Sequence, residues 1–177
     1  MATSRLLCTF RIDALSFGVD AGAVQEVVHT HPLTPVPLAH PSVRGLMNLR
    51  GQIVMAIDLR RRLHLRERPA GEPPMTIIVL TDDGPAGLLV DEVGEALAVE
   101  EDAFEPALHG EGPGGELVRG AYKLADRLLL EIDVAATVRI ATEMEDHVDH
   151  PPAHPGAVPG PVSAAGEEET HASHGRG

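Results

Sequence analysis

The side chains able to do chemistry in this 177-residue sequence are ten histidines, a single cysteine, a block of arginines and scattered acids. His29, His31 and His40 flank or occupy a proline-rich stretch, with Asp58 not far beyond. A metal site or an acid-base cluster would need a tight ligand motif or a nucleophile beside them, and neither is there, so they read as structural or solvated loop histidines. His147, His150, His154, His171 and His174 fall near the end of the sequence. Pairs spaced three apart hold zinc or nickel only weakly, because structural zinc takes a closed set of four ligands in ordered chain. A solvated, pH-responsive segment is the expectation there. Cys8 allows no intrachain disulfide or multi-cysteine metal site and reads as a small buried hydrophobe. The run Gly110-Glu111-Gly112-Pro113-Gly114-Gly115 lacks the Lys-Ser or Lys-Thr ending of a phosphate loop. No catalytic residue, cofactor site or metal site is therefore expected, and dispersed His, Asp and Glu are the only argument for an enzyme.

The charge distribution says more than its sum of −13. Seven arginines fall between Arg44 and Arg68 against Asp58 and Glu67, whereas from Pro69 to Val118 there is no Lys or Arg at all. Overall acidity excludes a general nucleic-acid binder, since phosphate contacts need a positive surface. Aromatics make up only 2%, which leaves no stacking platform for single strands. The arginine block is suited instead to an acidic protein partner. No stretch approaches the roughly 18 consecutive apolar residues of a membrane span, and the first residues do not form a secretion signal. A cytoplasmic protein without direct membrane insertion is the expectation.

The elements that must position these groups are mainly strands. Hydrophobic residues reach 43% with almost no aromatics, so the core is built from Val, Leu and Ile, which favour pleated surfaces where they alternate. The pattern predicts strands at 5–12 and 15–19 around Asp13-Ala14, and a short apolar element at Val24, Val27 and Val28. From His29 to Pro41 four prolines rule out a central strand. Pro41 is expected to open a helical turn over 42–44, with Gly45 changing the chain direction. Strands at 46–49 and 52–57 flank Arg50-Gly51. Asp58 caps a helix over 59–65 that carries Arg60, Arg61 and Arg62 on exposed faces. Further strands are predicted at 75–81, 86–90, near 94–99, and at 117–124 and 127–132.

An internal echo runs through this order. Val43-Arg44-Gly45, Leu49 and Ile57-Asp58 recur as Val118-Arg119-Gly120, Leu124 and Ile132-Asp133 at an offset of 75 without a gap. Two related β units are the simplest account. From about Met144 prolines, glycines and acids replace large hydrophobes, and such a segment cannot bury enough apolar area to offset its chain entropy. The expectation is a folded module over 5–142, made of two intertwined β subdomains, followed by an acidic, His/Pro/Gly-rich disordered tail over 143–177.

The run Gly45-Leu46-Met47-Asn48-Leu49-Arg50-Gly51-Gln52-Ile53-Val54-Met55-Ala56-Ile57-Asp58-Leu59-Arg60 resembles the CheW family of chemotaxis coupling proteins. Phe10 and the following strand pair, Val24-Gln25-Glu26-Val27-Val28, the proline-rich loop and the segment from Arg119-Gly120 to Ile132-Asp133 agree in order, so the likeness covers roughly residues 5–140. It implies a mainly β fold of two five-stranded SH3-like barrels with short helices, packed around a hydrophobic groove. It also implies a non-enzymatic adaptor, without cofactor, that couples chemoreceptor cytoplasmic signalling tips to the regulatory domain of the CheA histidine kinase in membrane-associated arrays. The alternative is a coupling-like scaffold for another sensory or chemosensory pathway.

Within that resemblance Arg50 matches the family arginine of receptor coupling, where a guanidinium fork engages carboxylate or carbonyl groups as a lysine would not; bracing of its own turn is the other reading. Glu26 matches the acid of the Val-Gln-Glu-Val stretch, suited to organising the groove or pairing with a base. Val27 and Val28 point to opposite faces if extended, one towards the core and one towards the groove. Leu46 and Leu49 are candidates both for the core and for the groove, and Ile57 for the core. Asn48, Gly51 and Asp58 are expected to position the interface through local backbone bonds, a tight turn and a helix cap. Met55 stands where many relatives carry proline, and Ala56 removes bulk beside it, so this strand is expected to pair more regularly.

Overall fold

The structure, a computed structural model, describes residues 3–29, 31–107 and 114–140. The segment 143–177 and most of the glycine-rich run lie outside the described residues. The chain opens with strands Ser4–Ile12 (β1) and Leu15–Asp20 (β2), paired antiparallel around Asp13-Ala14. Asp13 takes the left-handed conformation (φ 57°) that the turn needs, one of the few non-glycine types that tolerates it. Val24–Val28 (β3), Val43–Leu49 (β4), Gln52–Asp58 (β5) and a single helical turn at Leu59–Arg62 (α1) follow. Met75–Thr81 (β6), Gly84–Val90 (β7), Glu92–Glu100 (β8) and the short Phe104–Pro106 (β9) come next, then Val118–Lys123 (β10), Leu128–Ile132 (β11) and Val134–Val138 (α2).

The strands form two sheets, β3-β6-β7-β5-β4 and β8-β1-β2-β11-β10-β9. Each sheet thus borrows from both halves of the chain. The β1-β2 hairpin completes the sheet of β10 and β11, while β3, β4 and β5 share theirs with β6 and β7.

The repeat seen in the sequence is a repeat of geometry. Val43 pairs with Ile57 and Val118 with Ile132, each followed by a register shift before Gly45 or Gly120. Asp58 and Asp133 cap α1 and α2 with their carboxylates. Then β5 runs parallel to β7 as β11 does to β2. Both glycines lie where another segment crosses: a methyl group on Gly45 would meet the Thr34 carbonyl, and one on Gly120 the Glu105 carbonyl.

Alternation along the strands divides the core into three. Met47, Leu49, Val54, Ala56, Ile78 and Leu89 fill the first barrel. Leu7, Val99, Tyr122 and Leu129 fill the second. The opposite faces of the same strands, including Ile57, Ile77, Leu88, Phe17 and Ile132, pack together between the sheets with Leu59, Leu63 and Ile140. Successive residues such as Ile77 and Ile78 therefore bury into different cores, and the strands read as continuous apolar runs because both faces are covered.

Several expectations change. No helical turn forms over 42–44: β4 starts at Val43, and Gly45 (φ 146°) bulges the strand instead of ending an element. The helix after Asp58 stops at Arg62, with Leu63 as its cap and His64 left-handed at φ 55°. Its arginines are not all exposed, since Arg60 and Arg62 are 6% and 8% exposed. A helix of one turn laid on two sheets covers most of its circumference; the Arg60 guanidinium finds Asp91 beneath, whereas Arg62 Nη2 reaches the Ala136 carbonyl at 3.4 Å and its buried Nε has no hydrogen-bond partner among the described residues. The second sheet gains a sixth strand, the three-residue β9, which lies on β10 as Thr34 bridges to Leu46 on β4.

Candidate partner-binding surface

The turn between β4 and β5 is built by four residues. Leu49 pairs with Gln52, which leaves Arg50 and Gly51 as a two-residue loop with φ of 53° and 87°. Two successive positive φ values define the tight turn whose twist matches antiparallel strands, and glycine suits its second position. Arginine at the first position is unusual, so the turn needs support. Asn48 Oδ1 accepts from the Gly51 amide at 2.8 Å, and His31 Nε2 donates to the Asn48 carbonyl at 3.0 Å. Leu49, 8% exposed, anchors the turn from inside the barrel.

Above this base the Arg50 side chain is 79% exposed, and its Nη2 reaches Glu26 Oε2 on β3 at 2.9 Å. Glu26 and Arg50 are 24 residues apart in sequence, and β3 and β4 are the two edges of one sheet. Their contact brings those edges together, and it leaves most of the guanidinium's donors facing solvent. Alternation does the rest on β3: Val28 packs against the first barrel core while Val27 is 38% exposed.

The structure thus gathers Glu26, Asn48, Arg50 and Gly51 at one end of the sheet. Three other candidates sit elsewhere. Leu49 lies under the turn, because alternation sends it inward, so it is no surface contact. Leu46 lines an outer groove of about 310 Å³ with Ile53, Met55, Ala86 and Val138. Asp58 is at the far end of β5, six residues along or about 20 Å away at strand spacing, where its Oδ1 accepts from the Arg60 amide at 3.0 Å. Met55 pairs regularly with Leu46 on one side and Ala86 on the other.

The repeat produces a second groove of about 420 Å³, where Phe17, Leu63, Ala121, Leu128 and Leu130 occupy positions equivalent to Ala86, Val138, Leu46, Ile53 and Met55. Sequence reasoning missed this groove. The offset of 75 carries the signal: it maps Leu46, Ile53 and Met55 onto Ala121, Leu128 and Leu130.

Two charged networks hold the frame. Asp91, between β7 and β8, receives Arg60 Nε at 2.9 Å, Arg68 Nη2 at 3.0 Å and the Asp13 amide at 2.7 Å. Burial pushes its carboxyl up, but the bonds from Arg60, Asp13 and Arg68 outweigh this and hold it at about 2. In the second barrel Glu131, 1% exposed, accepts from Arg5, Arg119 and Tyr122. Arg5 also donates to Asp20 at 2.8 Å, which lowers the Asp20 carboxyl. The equivalent of Glu131 in the first barrel is the buried Ala56, so this network belongs to one unit only. Cys8 is packed against the inter-sheet core, where burial raises its thiol. Among the described residues no three His, Cys, Asp or Glu side chains converge to hold a metal ion, and no helix is long and apolar enough to cross a membrane.

Comparison with known proteins agrees with this architecture. The chemotaxis protein CheW of Treponema pallidum is 30% identical over 133 residues, covering 72% of this chain and 78% of that protein. Its counterpart from Bacillus subtilis is 28% identical over 137 residues, covering 77% and 88%. The crystal structure of scaffolding protein TtCheW from Thermoanaerobacter tengcongensis superposes with a TM-score of 0.70 at 29% identity, covering 75% of this chain and 90% of that one. A family model described as the CheW-like domain matches residues 6–141, and the chain belongs to the CheW family.

Proposed function

We propose that this protein is a non-enzymatic chemotaxis adaptor that couples chemoreceptor cytoplasmic signalling tips to the regulatory domain of a CheA-type histidine kinase. Membership of a family whose relatives are named chemotaxis proteins and whose solved relative is titled a scaffolding protein supports the adaptor class. The observation that carries the reading to particular residues is the exposed Arg50 turn held by Glu26. A guanidinium with one edge fixed by a carboxylate and the other open is oriented before a partner arrives, so less side-chain freedom is lost on docking. Val27 adds exposed apolar area and Leu46 a groove wall, while Asn48 and Gly51 fix the turn. Asp58 acts at a distance by capping α1. Location in the cytoplasm at receptor arrays follows from this role.

Three-component cosedimentation of the chain with a receptor signalling-tip assembly and the CheA regulatory domain tests the proposal. Recruitment of CheA that depends on this protein and weakens with Arg50→Ala is the expected result. No recruitment by the folded wild-type chain would move the role to another sensory pathway. Unchanged recruitment by the folded variant would remove Arg50 from the coupling surface.

A further inference from the structure

The proline-rich loop runs back along the outer edge of β4. Thr34 and Leu46 exchange both backbone hydrogen bonds there, each at 2.8 Å, so Leu46 turns its amide and carbonyl away from β5. Alternation puts the next outward-facing carbonyl of β4 on Asn48, and the antiparallel register that pairs 34 with 46 sets position 32 opposite 48. That position is Pro32, which has no N–H to donate. The pairing therefore stops at a single bridge, whereas on the equivalent edge of the second barrel β9 pairs with β10 over three residues.

His31 supplies the missing donor from its side chain. A residue before proline is confined to extended backbone, and in extended chain His31 falls on the same side as Leu33, which packs against the first barrel core. The ring is thereby carried towards the turn, where Nε2 lies 3.0 Å from the Asn48 carbonyl. A carbonyl only accepts, so Nε2 carries the hydrogen. Packing alone does not fix the ring, because it borders a cavity of about 430 Å³. Asn48 is thus held on its carbonyl by His31, and with its side chain it holds the Gly51 amide and the turn in which Arg50 stands at φ 53°. We propose that His31 is a positioning residue for the coupling role above, on which the inference rests. Its imidazole replaces the strand amide that Pro32 lacks and keeps the left-handed turn closed. A non-glycine residue at positive φ favours opening of that turn. Only chains with the turn closed present the guanidinium to a partner in its paired position with Glu26.

Two readouts test it on the full chain, one of them independent of any partner. Solvent exchange at the Gly51 amide, followed by NMR of the free protein, reports opening of the turn. His31→Leu is expected to speed this exchange about three- to tenfold, the effect of losing one hydrogen bond. It is also expected to weaken CheA recruitment in the three-component cosedimentation by about twofold or more. His31→Gln, whose side-chain amide nitrogen reaches as far as the imidazole Nε2, is expected to restore both. So is His31→Leu combined with Pro32→Ala, which returns a backbone N–H opposite Asn48. Unchanged Gly51 exchange in the folded His31→Leu chain, or failure of both restoring variants, would overturn the proposal. Faster exchange with unchanged recruitment would overturn it as well, because the turn would then be held without bearing on Arg50. Absence of recruitment by the wild-type chain would instead refute the coupling role itself, while exchange at Gly51 would still decide whether His31 holds the turn.

Discussion

Replacing Asp91 with Asn tests whether the two sheets are tied through one carboxylate. Asp91 is 19% exposed, and the guanidiniums it holds are 7% exposed for Arg60 and 11% for Arg68. Its carboxyl, held at about 2, below the 3.8 of a free aspartate, binds its proton less readily when folded. The depressed value contributes stability that is fully present above the unfolded pKa and is lost as pH falls through about 2. At about 1.4 kcal/mol per unit, discounted for partial exposure, that titratable part is about 1–2 kcal/mol. Leaving two largely buried guanidiniums without their counter-charge raises the expected loss at pH 7 to about 2–3 kcal/mol. With a urea slope of about 1.5 kcal/mol/M for a domain of this size, the midpoint should fall by about 1.3–2 M. The chain contains no Trp and one Tyr, so far-UV circular dichroism is the appropriate signal. Urea titrations at pH 7, 5, 4 and 3 should show the gap between wild type and variant narrowing below about pH 4. A gap independent of pH, or a variant as stable as wild type at pH 7, would refute the assignment of Asp91 as a charged hub.

Other perturbations separate frame from surface. Arg50→Ala should change the unfolding midpoint little, because an ion pair with a 79% exposed partner contributes about 0–1 kcal/mol, while weakening CheA recruitment about tenfold or more if Arg50 is an anchor. Gly45→Ala and Gly120→Ala should each destabilise by about 2 kcal/mol or more in the same urea assay, since the added methyl group meets a crossing backbone carbonyl. Glu131→Ala, which copies the residue at the equivalent site of the first barrel, should cost about 2–3 kcal/mol because it leaves the buried Tyr122 hydroxyl without its acceptor and Arg5 with Asp20 alone. Asp58→Ala and Asp133→Ala should each cost about 1 kcal/mol, and a much larger difference between them would argue against equivalent caps.

Strand positions were legible because they rest on local signals: Arg50-Gly51 and Asp13-Ala14 separate apolar runs, and prolines interrupt the stretch from His29 to Pro41. What failed locally was decided by other segments. Nothing near Val43 announces a strand, because Gly45 is there to admit Thr34 from a different part of the chain. Nothing in Arg60-Arg61-Arg62 announces burial, because Asp91 lies 31 residues beyond Arg60 and Ala136 lies 74 beyond Arg62. The site divides in the same way. The Asn48-Gly51 bond is local and readable, whereas the Glu26–Arg50 pair depends on how two sheet edges close.

The repeat explains why this fold can support an exposed arginine in a strained turn. Positions 48–51 correspond at the offset of 75 to Lys123-Leu124-Ala125-Asp126, where the hairpin is closed instead by the Leu124 amide donating to the Arg127 carbonyl at 2.9 Å. Both hairpins keep an inward leucine, Leu49 or Leu124, so the barrel beneath is served equally well by either solution. The left-handed loop of the first unit, with its Asn48 bond and its positive φ at Arg50, is therefore not required by the fold. Its cost, about 1 kcal/mol for a left-handed non-glycine residue, is borne in the unit that also supplies Glu26 across the sheet edge. An Arg50→Gly variant follows from this: relief of the turn should leave stability equal or slightly higher, while coupling falls as it does for alanine. If stability instead drops by more than about 1 kcal/mol, the ion pair and not the interface accounts for the arginine.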